Sequence, residues 1–258
     1  MPSAAGLYYF AHRAEDLTRP PVVLLHGAGG HHLYWPPQVR RLHNERILAV
    51  DLPGHGKSAG VGHHSIGDYA DEVIRFVESL KLSKVVLVGH SMGGAIALQV
   101  AIKHPQRVLA LGLLGSGARL SVSPTLLRLA SDPSKMAETV HTIIENSFAP
   151  GTSARLKELA GQRMAESRPS VLYGDLLACN AFDASAEASQ VAVPTLILFG
   201  DDDRMVPVAA GRALRRAIPG ARLEMLPDAG HMLMLEQPER VAGFLSEFVT
   251  GIRYLPGE

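Results

Sequence analysis

The segment Val85-Val86-Leu87-Val88-Gly89-His90-Ser91-Met92-Gly93-Gly94, continuing through residues 95–103, constrains the fold more than any other part of the chain. Its four leading apolar residues, three of them β-branched, read as a buried strand. Ala95-Ile96-Ala97-Leu98-Gln99-Val100-Ala101 reads as the start of a helix lying on that strand. A strand that turns directly into a helix forces the turn residue into a strained backbone conformation, and the glycines two before and two after it leave room for the crossing chains. Ser91 is therefore expected to stand above the sheet edge with its hydroxyl exposed and the helix N-terminus behind it. This is the G-x-S-x-G pattern of a nucleophile elbow. The competing reading is a glycine-rich turn whose serine caps a helix.

Around this segment the pattern alternates. Strands are expected at residues 7–11, 21–25, 46–51, 108–114, 193–200 and 222–226. Tyr69, Val73, Phe76, Val77 and Leu80 recur at helical spacing, with Ser65 and Asp68 placed as a capping-box variant, and further helices are expected at 208–217 and 238–250. The alternation predicts an α/β fold with a mostly parallel, doubly wound sheet. The pattern breaks between residues 116 and 189, where only helical fragments occur, at 126–130, 136–148, 153–166 and 171–182. That block is too long for a connection and too helical for disorder. It reads as a cap over the carboxyl edge of the sheet, so the expected organisation is a core of 1–115 and 190–258 with a helical cap at 116–189.

Composition removes several function classes. Lysine plus arginine equals aspartate plus glutamate at 25 each, so no net field draws in nucleic acid or an anionic membrane. The single cysteine, Cys179, excludes an intramolecular disulfide, leaves no zinc-type spacing, and is expected to be a buried spectator thiol. No apolar run approaches the roughly 20 residues needed to span a bilayer, and the start of the chain lacks a basic region followed by an apolar core. A cytoplasmic protein is the expectation. The run Gly56-Lys57-Ser58 invites a phosphate-loop reading, but Asp51 stands where that motif requires glycine, and no G-x-G-x-x-G follows a strand. No cofactor is expected.

A serine hydroxyl is a weak nucleophile at neutral pH and needs a positioned base, which in turn needs an acceptor to set its tautomer. The chain offers Ser91, then the acids Asp201, Asp202 and Asp203 at a strand end, then His231 after a later strand. His26-Gly27-Ala28-Gly29-Gly30 forms a glycine-rich loop at the end of a buried strand, where backbone N–H groups can approach a ligand or where the chain simply turns. Four motifs occur in order: His26-Gly27-Ala28-Gly29, Asp51-Leu52-Pro53-Gly54-His55-Gly56-Lys57-Ser58, the Ser91 segment, and Gly200-x-x-Asp203-x-x-x-Pro207 with Gly230-His231. On them the chain resembles an α/β-hydrolase of the fold-1 type over nearly its whole length.

The resemblance implies that Ser91 is nucleophile, His231 general base and acid, and Asp203 the orienting carboxylate, since in such hydrolases the third residue after the glycine carries that role with proline four further on. It also implies an oxyanion hole from the backbone N–H groups of Met92 and Ala28. His26, His55 and His90 are expected to be structural or rim residues. His31-His32 and His63-His64 lack the i, i+4 spacing and companion carboxylates of a metal site, so no metal is expected. Gly-His-Ser-x-Gly is common in esterases and lactonases, which makes a small-molecule ester or lactone the expected substrate. Carbon-carbon bond hydrolases of aromatic catabolism are the enzymatic alternative, although they usually carry asparagine where His90 stands. A noncatalytic ligand-binding protein is the alternative of another class. Apolar cap positions such as Phe148 and Leu177 are expected to shape substrate preference.

Overall fold

A computed structural model describes residues 2–255, so Met1 and residues 256–258, at the two ends of the expected core, lie outside the described residues. The chain opens with β1 (Ser3–Ala4), β2 (Leu7–His12) and β3 (Pro21–Leu25), followed by α1 (Pro37–Arg40), β4 (Arg46–Val50) and α2 (Ile66–Ser79). Then come β5 (Val85–His90), α3 (Met92–Lys103) and β6 (Val108–Leu114). Four helices precede the next strand: α4 (Pro124–Ala130), α5 (Met136–Ser147), α6 (Ala154–Ala165) and α7 (Pro169–Ala181). The chain then continues through β7 (Thr195–Gly200), α8 (Val208–Ala217), β8 (Arg222–Leu226), α9 (Leu233–Glu236) and α10 (Pro238–Thr250). Every longer element expected from periodicity is present. The two-residue β1 and the four-residue α1 and α9 were not foreseen, because segments so short carry no period.

The strands form one eight-stranded sheet in the order β1-β2-β4-β3-β5-β6-β7-β8. β1 and β2 are antiparallel and the rest are parallel. Every residue of β3, β5 and β7 is buried, as expected of strands covered on both faces. Their residues divide by alternation. Val23, Leu25, Leu87 and Phe199 join α2 and α3 in one core layer, whereas Val22, Leu24, Val88 and Leu198 join Val241, Leu245 and Val249 of α10 in the other. α2 starts where foreseen, with the Ser65 hydroxyl accepting from Gly67 N and Asp68 N. No helix among the described residues is long and apolar enough to cross a membrane.

β5 lies centrally, between β3 and β6, and α3 leaves it without an intervening loop. That junction leaves no room for side chains. A Cβ on Gly89 would lie 2.1 Å from Gly93 O, and one on Gly93 would lie 2.1 Å from Leu25 O. Gly93→Ala is expected to destabilise the fold by about 3 kcal/mol or more, since only backbone could move aside. Gly243 lies exposed in α10 with nothing near its missing Cβ. Gly243→Ala should therefore stabilise by up to about 1 kcal/mol through helix propensity, raising Tm by roughly 2–4 °C. Thermal unfolding of the two variants beside wild type checks both signs.

Candidate active site

Ser91 sits at the turn from β5 into α3 with φ 53° and ψ −117°, outside the regions comfortable for a residue with a side chain. Such a conformation costs on the order of 1–3 kcal/mol and persists only where its surroundings impose it. They do: Ser91 N donates to Leu114 O on β6 (2.8 Å), and Ser91 O accepts from Gly94 N, Ala95 N and the Ser116 hydroxyl. The Ser91 side chain makes no capping bond to α3. Ser91 lines a cavity together with Gly27, Ala28, His90 and His231, and with no capping bond the helix-capping reading of this serine does not describe the structure.

β7 and β8 deliver the other two residues. A Cβ on Gly200 would lie 2.1 Å from Ala229 O, which shows how closely the loop after β8 crosses the end of β7. The crossing brings the Asp203 carboxylate against His231, Oδ2 to Nδ1, at 2.8 Å. Asp203 Oδ1 accepts from Met205 N and Val206 N, which holds the carboxylate in place. Asp201 is exposed and Asp202 half-buried, and among the described residues neither side chain bonds His231. A carboxylate accepts, so Nδ1 of His231 carries a proton, and in the neutral ring Nε2 is the nitrogen with the lone pair. No hydrogen bond joins Ser91 Oγ to His231 among the described residues. The two line one cavity, and such contacts are often loose without substrate. The His231 carbonyl accepts from His90 Nε2 at 2.9 Å, which pins the His231 backbone to the residue before Ser91.

The glycine-rich loop after β3 is held by His26. Its Nδ1 donates to Gly27 O (2.8 Å) and its Nε2 accepts from Leu52 N (3.0 Å), which makes it a neutral imidazole. Gly27 O also accepts from Gly30 N (3.0 Å). In a trans peptide the N–H points opposite the C=O, so the N–H of Ala28 is turned away from His26, and it donates to no protein acceptor among the described residues. Met92 N is likewise undonated there, and the Met92 side chain is fully buried, so this residue can offer the cavity only its backbone.

Several residues play parts the sequence did not disclose. Asp51 stands beside His31 and His32, close enough for the three to be considered as metal ligands, so the companion carboxylate thought absent comes from the end of β4. Both its oxygens are already taken: Oδ1 accepts from His32 N and faces His32 Nδ1, and Oδ2 accepts from Lys57 N. The trio is thus knit by its own hydrogen bonds. Asp175 of α7 is fully buried and accepts from Gly29 N, His55 Nε2 and Tyr69 Oη. A lone acid inside an otherwise apolar helical run was the one available signal, since a buried charge requires partners. Cys179 is buried and lines the cavity, and burial raises its thiol pKa.

The cavity measures about 70 Å³. Leu120, Val122, Ile143, Met164 and Leu176 from the stretch between β6 and β7 face Met205, Val206 and Met232 across it, and among the described residues no lysine, arginine, aspartate or glutamate lines it. Phe148 and Leu177, expected to shape it, do not. Phe148 follows the last residue of α5 in extended backbone and is buried in the core, and Leu177 lies one residue past the lining Leu176. One residue turns a helix by about 100°, so Leu176 of α7 faces inward where Leu177 does not, and at the end of α5 it is Ser147 that lines the cavity.

The alpha/beta hydrolase family sequence model matches residues 22–244. A protein of Caulobacter sp. (strain K31) named for a carbamate hydrolase activity is 27% identical, across 95% of this chain and 96% of its own. The pimeloyl-[acyl-carrier protein] methyl ester esterase of Nitrosomonas europaea is 28% identical, across 86% of this chain and 92% of its own. Among solved structures, the enol-lactonase from Burkholderia xenovorans LB400 superposes with a TM-score of 0.88 at 25% identity, covering 95% of this chain and 96% of that one.

Burial lowers the pKa of His26 to about 3, with the charge of His55 beside it, and burial holds His90 well below its ordinary value. Both are neutral in the fold yet bind protons in the unfolded chain below pH 6.5, so stability is lost as pH falls. For His26 alone, acidification from pH 6.5 to 5 should remove about 2 kcal/mol. At His55 burial opposes the charge, but Asp175 outweighs it and raises the pKa. The stability His55 contributes is complete below pH 6.5 and fades only as pH rises through its folded pKa, so it does not offset the loss. Urea midpoints at the two pH values check this, and equal midpoints would contradict it.

Proposed function

The chain belongs to the alpha/beta hydrolase family, and from that premise we propose that it cleaves a carboxylic ester or lactone through an acyl-enzyme on Ser91. The observation that carries the reading is the strained Ser91 turn opening on the same cavity as a buried His231–Asp203 pair at 2.8 Å. In this reading Ser91 Oγ attacks the carbonyl carbon and His231 Nε2 takes its proton. Asp203 holds Nδ1–H and stabilises the imidazolium that forms. Negative charge gathers on the carbonyl oxygen, where the N–H groups of Ala28 and Met92 are the donors and the N-terminus of the twelve-residue α3 adds its dipole. His231 returns the proton to the leaving alcohol, and water then repeats the sequence on the acyl-enzyme. The helices of residues 116–189 act as the cap, supported by the lining residues they contribute.

The lining also bears on substrate. A carboxylate placed among these apolar side chains would meet no lysine or arginine among the described residues, burial holds His90 neutral, and an unpaired buried charge costs several kcal/mol. A short, uncharged acyl group or lactone is therefore the substrate class proposed.

Ser91→Ala should lower kcat by on the order of 10⁶-fold and abolish stoichiometric fluorophosphonate labelling of that residue. Asp203→Asn should cost roughly 10⁴-fold through the wrong imidazole tautomer, whereas Asp201→Asn and Asp202→Asn should cost little. Full p-nitrophenyl ester turnover by the alanine variant would end the proposal. A noncatalytic binding protein on the same frame would show neither turnover nor label.

For the substrate class, kcat/KM for p-nitrophenyl butyrate should exceed that for the p-nitrophenyl monoester of succinate by about 10²-fold, the equivalent of roughly 3 kcal/mol for an unpaired carboxylate. Equal values would mean that a counter-charge reaches the cavity.

A further inference from the structure

The buried carboxylate of Asp175 touches none of the residues assigned to bond cleavage, yet it is tied to the loop that carries Ala28. Gly29 N donates to Asp175 Oδ2 at 2.8 Å, and Gly29 O accepts from the Ser167 hydroxyl at 2.9 Å. Ser167 and Asp175 both belong to the helical insertion, so it grips both polar groups of the residue after Ala28. Gly29 has φ +62°, and a Cβ on it would lie 2.9 Å from Leu172 Cδ1, so α7 packs directly on the loop.

The other donors to Asp175 come from the core. His55 Nε2 lies 2.8 Å from Oδ2, and Tyr69 Oη donates to Oδ1 at 2.6 Å while itself accepting from His63 N. His55 Nδ1 faces Pro53 O at 3.0 Å, and a carbonyl can only accept. Both ring nitrogens of His55 thus point at acceptors, which makes it an imidazolium paired with Asp175 in a fully buried setting. Such a pair does little for stability relative to apolar packing, but once one member is removed the other is stranded. Its geometry is specific, because every oxygen of the carboxylate has an assigned donor.

We infer that Asp175 is a positioning residue that sets the oxyanion donor from the insertion side, by clamping Gly29 so that the N–H of Ala28 faces the oxygen developing on the Ser91 adduct. Docking of α7 and formation of the oxyanion hole are then one event, with His55 and Tyr69 holding the carboxylate at the required place. The inference rests on the acyl-enzyme reading of Ser91 and Ala28.

Asp175→Asn keeps the size of the side chain but turns one of its two oxygens into an NH₂ group that confronts a donor. In the intact 258-residue chain kcat should fall about 10²- to 10³-fold, the scale of one lost oxyanion donor, with KM nearly unchanged. The inhibition constant of a boronic acid, whose tetrahedral adduct places an oxygen in the hole, should rise by the same factor as kcat/KM falls. Assays are run well below the variant's thermal midpoint, so a residue that only braces the fold would lower Tm and leave both kinetic quantities in place. If the asparagine variant does not fold, Ser167→Ala, at a half-buried site, decides: kcat should drop several-fold with KM unchanged. Unaltered kcat and boronate affinity in a folded variant, or a loss confined to KM, overturns the inference. If wild type fails to take a fluorophosphonate label on Ser91, the acyl-enzyme reading falls instead, which separates the two failures.

Discussion

A side chain can occupy the Ser91 turn only because the backbone around it is packed to contact. β5 must end, α3 must begin, and the loop after β3 must pass in front, all within the width of a peptide group. Gly89 touches Gly93, Gly93 touches Leu25, and a Cβ on Gly27 would lie 2.9 Å from His90 Nδ1. Any side chain at the first two positions would push the strand, the helix or the loop away. The strain at Ser91 is held by bonds to β6 and by the first turn of α3, so it depends on the whole central sheet.

The same crowding explains the buried histidines. Where backbone crosses this closely, carbonyl and N–H groups are left without ladder partners, and an orphaned buried polar group costs about as much as a lost hydrogen bond. Imidazole can donate from one nitrogen and accept at the other. His26 does so between Gly27 O and Leu52 N, and His90 donates to the His231 carbonyl. His55 differs because both its nitrogens face acceptors, and it carries a charge that Asp175 answers. Histidines of one residue type therefore hold opposite protonation states a few ångströms apart, with the His26 and His55 rings centred 4.8 Å from each other.

The helical insertion meets the sheet in two chemically distinct ways. Apolar side chains such as Leu176, Met164 and Ile143 face the cavity over Ser91. Asp175, on the same helix as Leu176, turns to the polar crossing beneath. Helical periodicity makes this division possible, because adjacent residues of α7 point in directions about 100° apart.

The sequence by itself determined the sheet, its mostly parallel character, the position of the elbow and the four helices between β6 and β7 to within two residues at their ends, because apolar periodicity, glycine at close crossings and capping chemistry act over a few residues. The family resemblance of its motifs pointed to Asp203 among three adjacent aspartates, and in the structure it is the Asp203 carboxylate that faces His231. Only tertiary structure decided which side chains face the cavity, since a one-residue change of helical phase separates Leu177 from Leu176, and Phe148 leaves α5 in extended backbone and packs into the core. It alone brought Asp51 to His32, 19 positions away, and Asp175 to Gly29, 146 positions away. Asp175 as a lone acid in an apolar helix signals that some partner exists, but nothing local says which one, because a histidine or a glycine in a loop, taken alone, carries no mark of the distant carboxylate it meets.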